Sequence, residues 1–121
     1  MKKLKTVMVS AAAMVDVDNK VLIAQRQKDK FMADYWEFPG GKLEDDELPN
    51  QCLVREIKEE LGVDISDSCF TPITFTTYEY PDFSVIIYLY ICREWDGFIQ
   101  AKEGQSLRWC RPSELFEIKM L

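Results

Sequence analysis

The chain has 121 residues, 47% of them apolar and 30% charged, and a formal net charge of −6 at pH 7. That length lets one domain bury a core without disulfide or metal staples, and the composition is that of a globular chain, not a disordered one. The acidic balance argues against a direct nucleic-acid binder, no apolar run approaches the ~20 residues of a membrane helix, and the absence of histidine removes every Ser-His and Cys-His catalytic pair.

The opening MKKLKTVMVSAAAMV combines charged, apolar and small residues in a way that imitates a signal peptide. However, VMVSAAAMVDV runs directly into DNKVLIAQR, which reads as a hairpin of residues 5–17 and 20–26 around an Asp18-Asn19 turn. A cytoplasmic protein is expected. The next stretch, QKDKFMADYWEFPGGKLEDDELP, reads as a loop punctuated by Pro39-Gly40-Gly41. A helix is predicted from Pro49 to Leu61, with Leu53, Val54, Ile57 and Leu61 as its core-facing stripe and Gly62 placed to end it in a left-handed conformation.

FTPITFTTYEY and FSVIIYLYIC predict a second hairpin turned at Pro81-Asp82. The second of these strands is apolar almost throughout, the mark of a central strand covered on both faces. SLRWC predicts one more strand, and PSELF a short helix with Ser113 as its N-cap. With strands dominant and at least one helix packed on them, the fold class is α+β, a sandwich formed by a single domain over residues 1–121. Cys52, Cys69, Cys92 and Cys110 form no CxxC pair, so free buried thiols are expected and a zinc site is not.

REIKEELGV, residues 55–63, places Glu56, Glu59 and Glu60 within one turn or so of each other. On an exposed helix such a set costs a few tenths of a kcal/mol in repulsion, partly offset by pairs such as Arg55–Glu59. Glu56 and Glu59 fall off the apolar stripe and Glu60 at its edge. Oxygen ligands so grouped suit a hard cation such as Mg²⁺ or Mn²⁺, and the glycines upstream permit close backbone approach, with the Gly40 carbonyl as a further ligand. A merely solvated acidic helix is the alternative. A divalent cation would also reconcile the acidic charge with a phosphate-bearing ligand.

The full run is Gly41, five residues, Glu47, seven residues, then Arg55-Glu56-Ile57-x-Glu59-Glu60-x-Gly62-Val63. It resembles the Nudix box of residues 41–63, with every defined position filled. YWEFPGGKLE, YEYPDF, KEGQ and LRWCRPSEL resemble the MutT-like branch of that family. The resemblance implies a Nudix α/β/α sandwich with a mixed sheet, and metal-dependent hydrolysis of nucleoside triphosphates to nucleoside monophosphate and pyrophosphate. It further implies sanitation of the nucleotide pool by removal of 8-oxo-dGTP. Glu56, Glu59 and Glu60 would be the metal ligands, with the Gly40 carbonyl and Glu103 of KEGQ. Glu56, Glu59 and Glu103 would be the catalytic carboxylates, Glu56 being the first choice for the base and Glu103 the second. Arg55 would orient a glutamate, and Arg26, Phe38 and Tyr80 would contact substrate. The implied state is a monomer or weak dimer.

The sequence departs from the family pattern in four places. Leu48 stands where Thr or Ser often caps the helix. Asp45-Asp46 replaces a turn such as Pro-Gly, and Phe83 replaces an arginine near the base. The chain stops at Leu121, before the segment that carries a base-reading Asn or Asp in MutT-like proteins. The substrate expectation therefore keeps CTP or dCTP, ADP-ribose and dinucleoside polyphosphates as alternatives, and a non-catalytic nucleotide-binding module as another.

Overall fold

The computed structural model describes residues 5–30 and 32–121. The leading residues 1–4 of the signal-like stretch, and Phe31 within the predicted loop, lie outside them. The described residues form two sheets, one α-helix and two short 3₁₀ helices. Strands β1 (Lys5–Met14), β4 (Gly40–Lys42), β5 (Thr71–Glu79) and β6 (Phe83–Cys92) form a mixed sheet in the order β4-β1-β6-β5. Strands β2 (Val21–Gln25), β3 (Trp36–Glu37) and β7 (Leu107–Cys110) form a second sheet in the order β3-β2-β7. Helix α1 (Pro49–Leu61) has the predicted limits.

The first hairpin is not formed as predicted. Its strands meet only at a Val15–Val21 bridge and then part, β1 into the large sheet and β2 into the small one. The turn is built by Asp16, whose carboxylate accepts the N–H groups of Asp18 and Lys20, with Asn19 at φ 60°. The alternation of apolar residues gives each strand its inner face but does not say which neighbour it pairs with. β1 instead runs parallel to β6, Lys5 opposite Phe83 and Met14 opposite Cys92.

The second hairpin forms as predicted and is closed by the Tyr80 N–H on the Phe83 carbonyl, 2.7 Å. β6 is central, as expected, but only half-buried along nearly its whole length, so the covering on both faces is incomplete. β5 is an exposed edge strand, irregular between Pro72 and Thr74. Pro72 suits such an edge because it has no N–H to leave unpaired.

Leu53, Ile57 and Leu61 are fully buried in a core with Ala12, Met14, Leu22, Val63 and Phe70, whereas Val54, the fourth member of the predicted stripe, is half-buried and packs against that core. Cys52 on the same helix is fully buried as well. Cys92 and Cys110 are also buried free thiols, whereas Cys69 is only half-buried. Gly62 ends α1 at φ 74° with its N–H on the Lys58 carbonyl. At the other end Leu48 offers no side-chain oxygen, but the Gln51 side chain accepts the Leu48 N–H at 2.9 Å, half of a capping box. The C-terminal turn Pro112–Glu117 is a 3₁₀ helix capped at Arg111, not at Ser113. Glu114 reaches back to the Arg111 N–H at 2.9 Å, which fixes the start two residues earlier than the serine suggested. Of the two helical layers implied by the resemblance, α1 is the α-helix that the described residues supply. None of their helices is long and apolar enough to cross a membrane.

Candidate active site

The site is built where α1 lies against β4 and β1. Ser10, fully buried, donates its hydroxyl to the Pro49 carbonyl at 2.9 Å and so pins the start of α1 to β1. Gly40 and Gly41 pair with Ala11 and Ser10. A Cβ at Gly40 would fall 2.0 Å from the Ser10 carbonyl oxygen, with φ at +153°. At Gly41 it would fall 2.5–2.7 Å from the carboxyl atoms of Glu56. The glycines therefore do two separate things: Gly40 lets β4 close on β1, and Gly41 makes room for a carboxylate.

That contact corrects the view of Glu56 as a solvated side chain, for it is held against a strand and only 19% exposed. Its Oε1 accepts Arg55 Nη1 at 2.8 Å. Burial nevertheless outweighs the arginine and raises the Glu56 carboxyl above its ordinary range, with help from Glu59 and Glu103. Glu60 turns to the Gly40 N–H at 3.2 Å. Burial first, then the neighbouring Glu56 and Glu103, push its carboxyl up to about 8. Glu59 is exposed and leans toward Arg55 Nη1 at 3.7 Å.

Arg55 is the hub. Its Nε and Nη2 bond the two oxygens of Glu47 at 2.9 Å each, and Nη2 also reaches the Lys42 carbonyl at 3.1 Å. That fork holds the Glu47 carboxyl down to about 2. The expected role of Arg55, orienting a glutamate, is thus matched by geometry on two glutamates at once. The Cys52 thiol, pushed up to about 11 by burial, lies beneath and points at the Gly41 and Lys42 carbonyls, 3.5 Å from each.

Arg26, Glu60 and Glu103 line one polar pocket with Gln27, Glu37 and Gln105. The Arg26 guanidinium bonds both oxygens of Glu37 through Nη1, at 2.9 and 3.1 Å. The structure thus brings Arg26, Gly40, Glu56, Glu60 and Glu103 to one region. Phe38 and Tyr80 do not line that pocket. Phe38 packs on Ala13, Val15, Val21 and Ile91. Tyr80 stacks on Phe83, centroids 4.9 Å apart, and Phe83 pairs with Lys5, six residues along β1 from the partner of Gly40. That is ~20 Å of strand. Glu37, Gln27 and Gln105 carry no periodic signal in the sequence, because they come from a two-residue strand and two separate loops, although KEGQ contains the last of them.

The donor set fits a hard divalent cation in kind: all oxygen, several carboxylates, and one of them buried beside like charges that favour a positive partner. In position the fit is partial. Among the described residues no three Asp, Glu or Cys side chains converge on one point, because Glu56 is aimed at Arg55 and Glu60 at the Gly40 N–H.

The site thus sets a helix of clustered carboxylates against a glycine strand, beside an arginine-bearing pocket. Comparison with known proteins makes the class definite. Residues 5–121 match the family described as NUDIX domain. The chain is 36% identical over 111 residues, 92% of its length and 94% of the other, to the 8-oxo-dGTP diphosphatase of Proteus vulgaris. It is 37% identical over 108 residues, 88% of its length and 77% of the other, to the CTP pyrophosphohydrolase of Escherichia coli K12. The solution structure of the E. coli ORF135 protein superposes with a TM-score of 0.82 at 34% identity, covering 97% of this chain and 81% of that one. The chain belongs to the Nudix family of hydrolases, enzymes that depend in general on divalent metals.

Proposed function

We propose that this protein hydrolyses nucleoside triphosphates to nucleoside monophosphate and pyrophosphate with Mg²⁺, and that 8-oxo-dGTP is its favoured substrate. The observation that supports the chemistry best is the intact carboxylate set of α1, with Glu56 against Gly41 and Glu60 on the Gly40 N–H beside the Arg26 pocket. A module that only binds nucleotide has no use for it. Glu56, Glu59, Glu60, Glu103 and the Gly40 carbonyl would hold Mg²⁺, or Mn²⁺ in its place. When bound, the ion neutralises phosphate oxygens and makes water easier to deprotonate.

The protein's own groups do the rest. Arg26, steadied by Glu37, faces the phosphate chain. Arg55, locked by Glu47, keeps Glu56 against Gly41. Glu56 or Glu103 takes the proton from the attacking water. Such closely placed carboxylates titrate as a group, so the proton belongs to the set. The relatives favour 8-oxo-dGTP as substrate, and the CTP pyrophosphohydrolase supports a second reading in which CTP or dCTP is preferred.

The test is a pyrophosphate-release assay with Mg²⁺ on 8-oxo-dGTP, dGTP, dCTP, CTP and ADP-ribose, with Glu60→Gln alongside. The expected result is highest kcat/KM on 8-oxo-dGTP and loss of turnover by orders of magnitude in the variant, its fold unchanged. Preference for a cytidine nucleotide would replace the substrate and keep the chemistry. Glu60→Gln within twofold of wild type would sink the carboxylate assignment.

A further inference from the structure

Glu103 stands on a turn, residues 101–104, whose side chains are all exposed. Within itself the turn is closed by the Gly104 N–H on the Ala101 carbonyl, 3.1 Å. Nothing in that turn alone would aim a carboxylate. Its position comes from the end of α1. The Gln100 N–H bonds the Leu61 carbonyl at 2.9 Å and the Lys102 N–H bonds the Glu60 carbonyl at 3.0 Å. The Lys102 stem lies on Gly62, where a Cβ would come within 2.6 Å of it. Gln105, the half-buried member of residues 101–106, completes the attachment. Its Nε2 donates to the Glu60 carbonyl at 3.1 Å, and its Oε1 accepts the Glu103 N–H at 3.0 Å. On the other side Gln27 donates its side-chain amide to the Glu103 carbonyl. Both backbone polar groups of Glu103 are thus held by glutamine side chains.

We propose that Gln105 is a positioning residue that ties the backbone of Glu103 to the last turn of α1, so that the Glu103 carboxylate is presented to Glu56 and Glu60. The inference rests on reading this pocket as the hydrolytic site. An amide suits the task because one end must donate to a helix-end carbonyl and the other must accept an N–H. Glutamate offers no donor, and asparagine is one methylene too short to span the same two groups.

The experiment uses the full chain with Gln105→Ala, Gln105→Glu, Glu103→Gln and the double variant Glu103→Gln/Gln105→Ala. It measures kcat and KM for pyrophosphate release, affinity for Mn²⁺ alone by water-proton relaxation, and hydrogen exchange of the Glu103 amide. Gln105→Ala is expected to lower kcat about 10- to 100-fold, the scale of an ångström's misplacement. KM should change less than about threefold, Mn²⁺ should bind more weakly, and the Glu103 amide should exchange faster. Gln105→Glu should not restore kcat. In the double variant Gln105→Ala should add less than about threefold to the loss from Glu103→Gln, because the group it positions is already disabled.

Losses that multiply in full, or a Gln105→Ala enzyme with wild-type kcat, would overturn the proposal. Should wild type release no pyrophosphate from any nucleotide, the hydrolytic reading fails separately. Unchanged Glu103 exchange in Gln105→Ala would then refute the tether itself.

Discussion

Gly41→Ala sets packing against chemistry at one atom. The added Cβ would stand 2.5 Å from the Glu56 carboxyl carbon and 2.6 and 2.7 Å from its oxygens, where ordinary contact begins near 3.4 Å. The carboxylate must therefore retreat by about 0.9 Å. Side chains at a flexible end can do this, and Gly41 does not have a positive φ, so the fold need not suffer. Stability should stay within about 1 kcal/mol of wild type, since alanine also restricts the unfolded chain. A displacement of that size at a catalytic group costs on the order of 10²-fold in kcat, about 2.7 kcal/mol. The assay is steady-state pyrophosphate release with Mg²⁺ and 8-oxo-dGTP, paired with urea denaturation of the same preparation. Gly40→Ala is the contrast, because its Cβ would meet the Ser10 carbonyl oxygen at 2.0 Å with φ at +153°. Backbone cannot step aside as a side chain can, and more than about 2 kcal/mol of stability should be lost. A Gly41→Ala enzyme that is fully folded and within threefold of wild-type kcat would refute the reasoning, for the place of Glu56 against β4 would then be immaterial.

Three other outcomes can be checked on the same footing. Glu47→Gln removes the charged half of the Arg55 fork and should cost about 1–2 kcal/mol at pH 7. Because the Glu47 carboxyl is held down at about 2, that difference should be constant above about pH 5 and shrink as the pH falls through 2; urea melts that still differ by the full amount at pH 2 would contradict it. Leu48→Ser supplies the missing cap oxygen at an exposed, extended N-cap position and should stabilise by about 1 kcal/mol in thermal melts, whereas no gain would mean that Gln51 already suffices. Tyr80→Ala removes the stack on Phe83 and should lower stability by about 0.5–1.5 kcal/mol beyond the buried area. It should change KM by the same factor for 8-oxo-dGTP and CTP, and a selective rise for one of them would place Tyr80 at the base after all.

Helix α1 was legible to the residue because its limits are written in local chemistry: Pro49 suits a first turn and Gly62 a left-handed end. The second hairpin was legible for the same reason, with Pro81-Asp82 between two β-rich runs. The parting of β1 from β2 was not, because an apolar alternation specifies a face and leaves the partner strand open. β3 and β4 lie in the stretch whose sequence has the marks of a loop. They have two and three residues, too few for any period, and β4 has glycines where a strand usually has branched side chains. At the site, the glutamates of α1 and Glu103 could be picked out by spacing and family pattern. Their supports could not: the Glu37 partner of Arg26 and the Gln105 tether depend on segments that meet only in the folded chain, and Glu47, though part of the box, gave no sign of forking onto Arg55.

The parallel pairing of β1 with β6 also bears on how the site comes into being. Lys5 and Phe83 are neighbours in the sheet but 78 positions apart in the chain, and contacts of such separation are slow to form because a large loop must close first. The carboxylate helix lies inside that loop. On a chain emerging from the ribosome, α1 can meet β1 and β4 early, through Ser10 and the paired glycines. The other inner strand, β6, begins only at Phe83, well after α1 ends at Leu61, and the turn carrying Glu103 comes later still. In chain order the box therefore precedes β6, and the last of the site's carboxylates to be synthesised is the one that Gln105 fastens down.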